Sequence, residues 1–150
     1  EFDLMIQNPT ADDARKWLST GAERIVLHLA SSEDLNPVMD VLSGLVEVGI
    51  AINNTTDVSD LKKYADKIQF VQVMGIRKAG FQRQNFEMNT VDKVREVRAM
   101  FPDLKVQVDG GVNLENAVLL KEAGVDAVVA GSALFDSGDI AMEIEEFKSI

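Results

Sequence analysis

The chain contains no cysteine. Disulfides, thiolate nucleophiles and Cys-ligated zinc or iron–sulfur centres are therefore excluded. A cytoplasmic setting fits that absence without being required by it. Basic residues are scarce: 15 Lys and Arg stand against 25 Asp and Glu, for a formal net charge of −10. Nucleic acids and anionic membranes both need basic surface, so neither is expected as the main partner. A small anionic substrate stays open, because a local site reads it rather than the net charge. No apolar run approaches the roughly 18 residues of a membrane-spanning helix, and no signal peptide is visible. There is no initiator Met, and the first apolar segment begins at once with Phe2. Most domains carry a few loose residues before their first element. The chain is thus expected to be a trimmed piece, or one whose first elements are missing upstream.

What is present is a globular composition, 150 residues with 46% hydrophobic and 27% charged. That length supports one domain with a sizeable core. Short apolar runs alternate with stretches of helical spacing. The runs are Phe2–Ile6, Ile25–Leu29, Val48–Ile52, Phe70–Ile76, Lys105–Val108 and Ala127–Ala130. Helical stripes follow at Ala11 to Leu18, Leu35 to Leu45, Val58 to Ala65, Val91 to Val97 and Ala117 to Lys121. A final helix is expected from about Asp139 to Phe147. Six β-α units in this rhythm imply a parallel sheet with crossover helices. Two architectures satisfy it: an open doubly wound sheet, and part of a (β/α)8 barrel, whose complete form runs to about 250 residues. No linker or second domain is visible, so residues 1–150 read as a single domain.

The strongest chemical signal lies in the last third. Val108-Asp109-Gly110-Gly111-Val112-Asn113 puts a carboxylate at a strand's end and two glycines before a helix N-cap. Backbone N–H groups in such a turn approach an anion closely. One unit later, Val129-Ala130-Gly131-Ser132-Ala133 repeats the device. Two such turns on consecutive strands read as a phosphate cradle, with plain strand–helix turns as the alternative.

These residues resemble the ribulose-phosphate 3-epimerase family of (β/α)8 barrels. Val106 to Ala117 is similar to that family's seventh strand and turn, and Ala123 to Asp126 with Val129 to Phe135 to its eighth unit. Val73-Met74-Gly75-Ile76, Gly80-Phe81, Gln84 and Phe86 are similar to the sixth strand and its loop. Leu4-Met5-Ile6 with Asn8-Pro9 resembles the end of the third strand, Ile25 to His28 the fourth, and Gly49 to Asn53 the fifth. The resemblance implies an α/β TIM-barrel type of fold in which units three to eight are present and the first two β-α units are absent.

The resemblance also implies the reaction, interconversion of D-ribulose 5-phosphate and D-xylulose 5-phosphate. One carboxylate removes the C3 proton to leave an enediolate, and a second returns a proton from the opposite face. A divalent metal (zinc, iron or manganese), held by two His and two Asp, stabilises the enediolate, and methionines flank it. By the resemblance, Asp109 is acid/base and metal ligand together. Met5 and Met74 are flanking methionines, and Gly80, Gly110, Gly111, Gly131 and Ser132 belong to the phosphate-binding turns. The other catalytic aspartate and its neighbouring His belong to the second strand, which falls outside this chain. Asp3 stands where the family has its third-strand His ligand, and is carried over as a metal ligand. Gln82-Arg83 replaces two glycines, and Arg77, Lys78 or Arg83 is expected to compensate with a charged contact to phosphate.

Several residues keep two readings. His28, the only histidine, is structural or a substrate contact. Asp3 caps a strand end or works in the site. Asn53 and Asn54 form a plain turn or touch substrate. Trp17 reads as core, and Glu143, Glu145 and Glu146 as a solvated face. Besides the epimerase, two functions stay open: altered chemistry on the same scaffold, and a non-catalytic sugar-phosphate-binding fragment. Six strands cannot close an eight-stranded barrel, so the strands at Phe2 and Ala130 are expected to be edges. Such edges predict a homo-oligomer, or reliance on further segments.

Overall fold

The structure, a computed structural model, describes every residue except Gln82. Its elements are β1 (Phe2–Leu4), α1 (Ala11–Leu18), β2 (Arg24–His28), α2 (Asn36–Leu42), β3 (Glu47–Ile52), β4 (Phe70–Met74), α3 (Asn89–Met100), β5 (Lys105–Asp109), α4 (Leu114–Ala123), β6 (Ala127–Val129), α5 (Ser132–Phe135) and α6 (Ile140–Ser149). Each strand pairs in parallel with the next, in the order β1-β2-β3-β4-β5-β6. A doubly wound sheet reverses its strand order at a switch point. Strictly sequential order is that of a barrel wall. The wall curls: Gln107 Nε2 on β5 donates to Glu1 Oε1, just before β1, at 2.8 Å. Only a half-barrel brings those ends together across three intervening strands.

Alternation along the strands sorts the side chains into two layers. Outward-facing Ile25, Leu27, Ile50, Ile52, Val71, Val73, Val106 and Val108 are buried beneath the helices, in one cluster with Leu35, Met39, Val94 and Leu120. Inward-facing Val26, Ala51, Phe70 and Met74 form a second, smaller cluster inside the curl. Gly49 belongs there by necessity, since a Cβ on it would lie 2.3 Å from the Phe70 ring.

Local chemistry sets the element ends. Thr10 and Asp13 cap each other reciprocally at the start of α1, and Asn113 and Asn116 do so at α4. β1 stops at Leu4, two residues before the apolar run does, as the chain turns through Asn8 with φ of 49°. β4 stops at Met74 rather than Ile76, and the Gly75 N–H makes the last bond of its ladder with β5, donating to the Asp109 carbonyl at 2.7 Å. The stripe from Val58 forms a 3-10 helix, Val58–Lys63, begun by Asp57 accepting from the Ser59 N–H. The four residues of α5 are too few for periodicity to reveal. Trp17 is half-buried rather than central, with its ring tilted against Phe2 at 5.3 Å. β1 and β6 each have one neighbouring strand, so they are the sheet's edges in this chain. Among the described residues no helix is long and apolar enough to cross a membrane.

Candidate active site

All six strands run the same way, so their C-terminal ends share one mouth, where barrel chemistry is built. Asp109 is the last residue of β5 and, pairing in register with Met74, faces inward. The chain then turns away through Gly110 and Gly111, with φ of 103° and 68°. Asn116, buried on α4, holds that turn by donating from Nδ2 to the Gly111 carbonyl at 3.0 Å. Gly75, just past the end of β4, allows the close approach. A Cβ there would lie 2.2 Å from the Gly110 carbonyl oxygen.

A cavity of about 160 Å³ opens over this turn. Asp109, Met5 and Met74 line it. Gly80, Gly110 and Gly111 line it from the loops after β4 and β5, and Gly131 and Ser132 from the turn after β6. Eight of the nine site residues read from the sequence thus border one space. The ninth, Asp3, does not line that cavity.

Asp3 is instead part of a hydrogen-bonded chain inside the half-barrel. Its Oδ1 lies 2.7 Å from His28 Nε2, and its Oδ2 accepts from Gln72 Nε2 at 2.8 Å. Gln107 Nε2 donates to Gln72 Oε1 at 2.8 Å. Below them Arg24 pairs with Glu1 and Glu47 and stacks over Phe70, 4.2 Å from the ring centre. This interior acts on Asp109. Burial chiefly, then the charges of Asp3 and Glu1, push its carboxyl up to about 6 from an ordinary 3.8. Near neutral pH such a group is ionised yet still a competent proton acceptor.

Measured against a divalent metal, these side chains do not make a complete holder. Both Asp3 oxygens already have partners. Among the described residues no three His, Cys, Asp or Glu side chains come together to grip an ion. Asp3 and Asp109 offer two anionic donors and no more.

The other candidates fall beside the mouth. His28, Asn53 and Arg77 line a second cavity of about 380 Å³ that shares Met5 and Gly80 with the first. Asn54 Nδ2 donates to Thr90 Oγ1 at 3.0 Å, a structural contact. Lys78 sits over the Phe81 ring, 5.3 Å from its centre. Of the pair standing where the family has two glycines, Gln82 lies outside the described residues. Arg83 lines the central cavity and is paired with Asp136. Sequence reasoning missed Gln72, Gln107, Asn116 and Asp136. The repeated Val-Gln-Val at 71–73 and 106–108 was the available signal, a polar residue at the inward position of two apolar strands.

A curled sheet of sequentially ordered parallel strands, with a buried carboxylate and glycine turns at the C-terminal mouth, defines a β/α-barrel protein. Likeness to solved structures agrees. 3-Hexulose-6-phosphate synthase from Salmonella typhimurium superposes with a TM-score of 0.76 at 14% identity, covering 98% of this chain and 70% of that one. The tryptophan synthase complex from Pyrococcus furiosus gives a TM-score of 0.67 at 20% identity, over 93% and 60%. Sequence comparison is more specific, and the chain belongs to the ribulose-phosphate 3-epimerase family, whose model matches residues 1–135. The ribulose-phosphate 3-epimerase of Escherichia coli K12 is 34% identical over 138 residues, which are 89% of this chain and 61% of that protein. That of Bacillus subtilis is 30% identical over 151 residues, 97% of this chain and 69% of that protein. The chain therefore spans about three fifths of the Escherichia coli relative's length.

Proposed function

We propose that this chain carries the Asp109 side of a ribulose-phosphate 3-epimerase site, interconverting D-ribulose 5-phosphate and D-xylulose 5-phosphate. The observation that carries the reading is the single cavity joining Asp109, Met5, Met74 and the two glycine turns. The turns after β5 and β6, with Gly80, hold the phosphate. That anchor places the sugar's C3 over Asp109, and the two methionines keep water from the reacting carbon. The ionised carboxylate accepts the C3 proton, the C–H electron pair moves into the C2–C3 bond, and charge collects on the C2 oxygen as an enediolate. Returning the proton from the same side restores the substrate. Returning it from the opposite side inverts C3, which needs a second acid. No step here is routed through a metal, because the residues present do not complete a holder for one.

A second reading has its own support. Asp109 is the one carboxylate lining the cavity among the described residues. A site with one acid binds sugar phosphate and exchanges its proton without inverting it. One experiment separates the readings: D-ribulose 5-phosphate is incubated with the protein in deuterium oxide, and deuterium at C3 and xylulose 5-phosphate are both followed by NMR. Deuterium with inversion supports the complete epimerase. Deuterium without inversion leaves Asp109 working alone, and neither product leaves a binding protein. In the first two cases Asp109→Asn should slow exchange by about 10²–10⁴-fold, the usual contribution of a positioned base. Unchanged exchange in that variant would remove Asp109 from the chemistry.

A further inference from the structure

From the loop between β4 and α3, Gly80, Phe81, Arg83 and Gln84 line the cavity at the mouth, and Arg83 is the most unusual of them. Its φ of 57° lies in the left-handed region that a non-glycine residue enters only at some cost. From there its guanidinium forks onto Asp136, just past α5, with Nη2 2.9 Å from Oδ1 and Nε 3.3 Å from Oδ2. The same side chain lines the central cavity beside Gly111, Gly131 and Ser132. It also lines the adjoining cavity of about 420 Å³, which Asp136 shares. The pair is solvated, with side-chain exposures of 74% and 51%, so its partners can exchange. Gln84 steadies the loop independently, donating from Nε2 to the carbonyls of Lys78 and Phe81 at 2.6 and 2.8 Å.

We propose that Arg83 and Asp136 form a latch, which the substrate's phosphate opens by taking the place of Asp136 on the guanidinium. A forked guanidinium accepts a phosphate in the same two-point geometry as a carboxylate. A phosphate dianion brings twice the charge, and glycine turns lie on the same cavity wall to share it. A surface ion pair is weak enough to be displaced. Arg83 thus selects phosphorylated over unphosphorylated sugars, and Asp136 competes for the same cation. Once released, Asp136 frees the β4–α3 loop from the segment after α5, so phosphate occupancy loosens a contact rather than tightening one. The latch rests on the phosphate reading of the cavity given above.

The two halves of a latch differ in sign, and that is the test. Binding of inorganic phosphate is titrated by calorimetry at fixed ionic strength in the native chain, Arg83→Gln, Asp136→Asn, the double variant and Glu143→Gln. The last variant removes one negative charge on α6, at a residue that lines neither cavity. Arg83→Gln should weaken binding by about tenfold or more, the loss of a charge-assisted contact. Asp136→Asn should tighten it by about two- to fivefold, the scale of a surface ion pair. Glu143→Gln should change it less than Asp136→Asn, and the gain from Asp136→Asn should vanish in the double variant. Weaker binding in Asp136→Asn would make the pair a structural clasp and overturn the latch while leaving the phosphate site standing. Equal gains in Asp136→Asn and Glu143→Gln would reduce the effect to net charge and overturn it too. A native chain that binds no phosphate would overturn the phosphate reading, and the latch with it.

Discussion

The two faces of the sheet are made from the same six strands and behave in opposite ways. The outward face is uniformly apolar, with Ile25, Leu27, Ile50, Ile52, Val73 and Val108 all buried against helices. The inward face alternates charge, amide and hydrocarbon: Glu1 and Arg24 at one end, Phe70 and Val26 midway, Gln72 joined to Asp3 and to Gln107, then Asp109 at the mouth. The outward face is held by area removed from water, which any well-shaped hydrocarbon supplies. The inward face is held by partners, and each group there is costly without its own. Stability is concentrated on one side of the sheet, and the means of shifting a pKa on the other.

The largest effect on folding should come from the outward face. Ile50 on β3 is fully buried in the main cluster. Ile50→Ala should cost about 2–5 kcal/mol, a lost transfer contribution plus the cavity left behind. Urea unfolding followed by circular dichroism measures it. A cost below about 1 kcal/mol would mean that the helices collapse onto the gap, and that this face is less tightly packed than its burial implies.

That face was also the legible one. Apolar runs and helical stripes located all six strands and five of the helices, because burying a face imposes period 2 on strands and period 3.6 on helices. The carboxylate and glycine turns around Asp109 were legible for a related reason: a tight turn at a strand's end needs glycine in the chain itself. The partner chemistry was not. Nothing local in the sequence joins Gln72 to Asp3, 69 residues away, or Arg83 to Asp136, 53 residues away. Those pairs exist because the sheet curls and the loops fold over its mouth, and curvature leaves no periodic mark. Asp3 shows the consequence. Its place in the chain suggested a ligand on the mouth, whereas His28 on the adjacent strand and Gln72, brought across by the curl, take its two oxygens.

A smaller effect sharpens the contrast from the inward side. Gln72 is 1% exposed, donates to Asp3 and accepts from Gln107. Gln72→Leu keeps the bulk and deletes both bonds. Were the inward face a second hydrocarbon core, this change would be neutral or stabilising. With partners as the rule, it should destabilise by about 1–3 kcal/mol, the cost of leaving buried polar groups unpaired. Unfolding of the variant in urea at pH 7 decides between them, and a gain in stability would erase the distinction between the faces.

The smallest effect is the response to pH, and it separates the inside of the mouth from the outer surface. Asp109 has its carboxyl raised to about 6 by burial, with Asp3 and Glu1 adding to it. A raised pKa means that the folded protein binds the proton more tightly than the unfolded chain. The stability tied to that proton is present below about pH 4 and is lost as pH rises through about 6. The exposed carboxylates of Asp13, Asp34 and Asp57 are shifted the other way, each chiefly by a hydrogen bond that favours its ionised form, from Thr10, Asn36 and Ser59 respectively. Their contributions are present above about pH 4 and fade only as pH falls below it. Asp109 is partly solvated, so screening reduces its share to about 1 kcal/mol between pH 4.5 and 7. Asp109→Asn should remove that loss, leaving the variant more stable than the native chain at pH 7 and about equal to it at pH 4.5. Unfolding curves for both proteins at the two pH values measure the difference. If the native chain and the variant kept parallel profiles across this window, the charge on Asp109 would be as well solvated as one on the outer surface, and the inward face would have no hold on its proton.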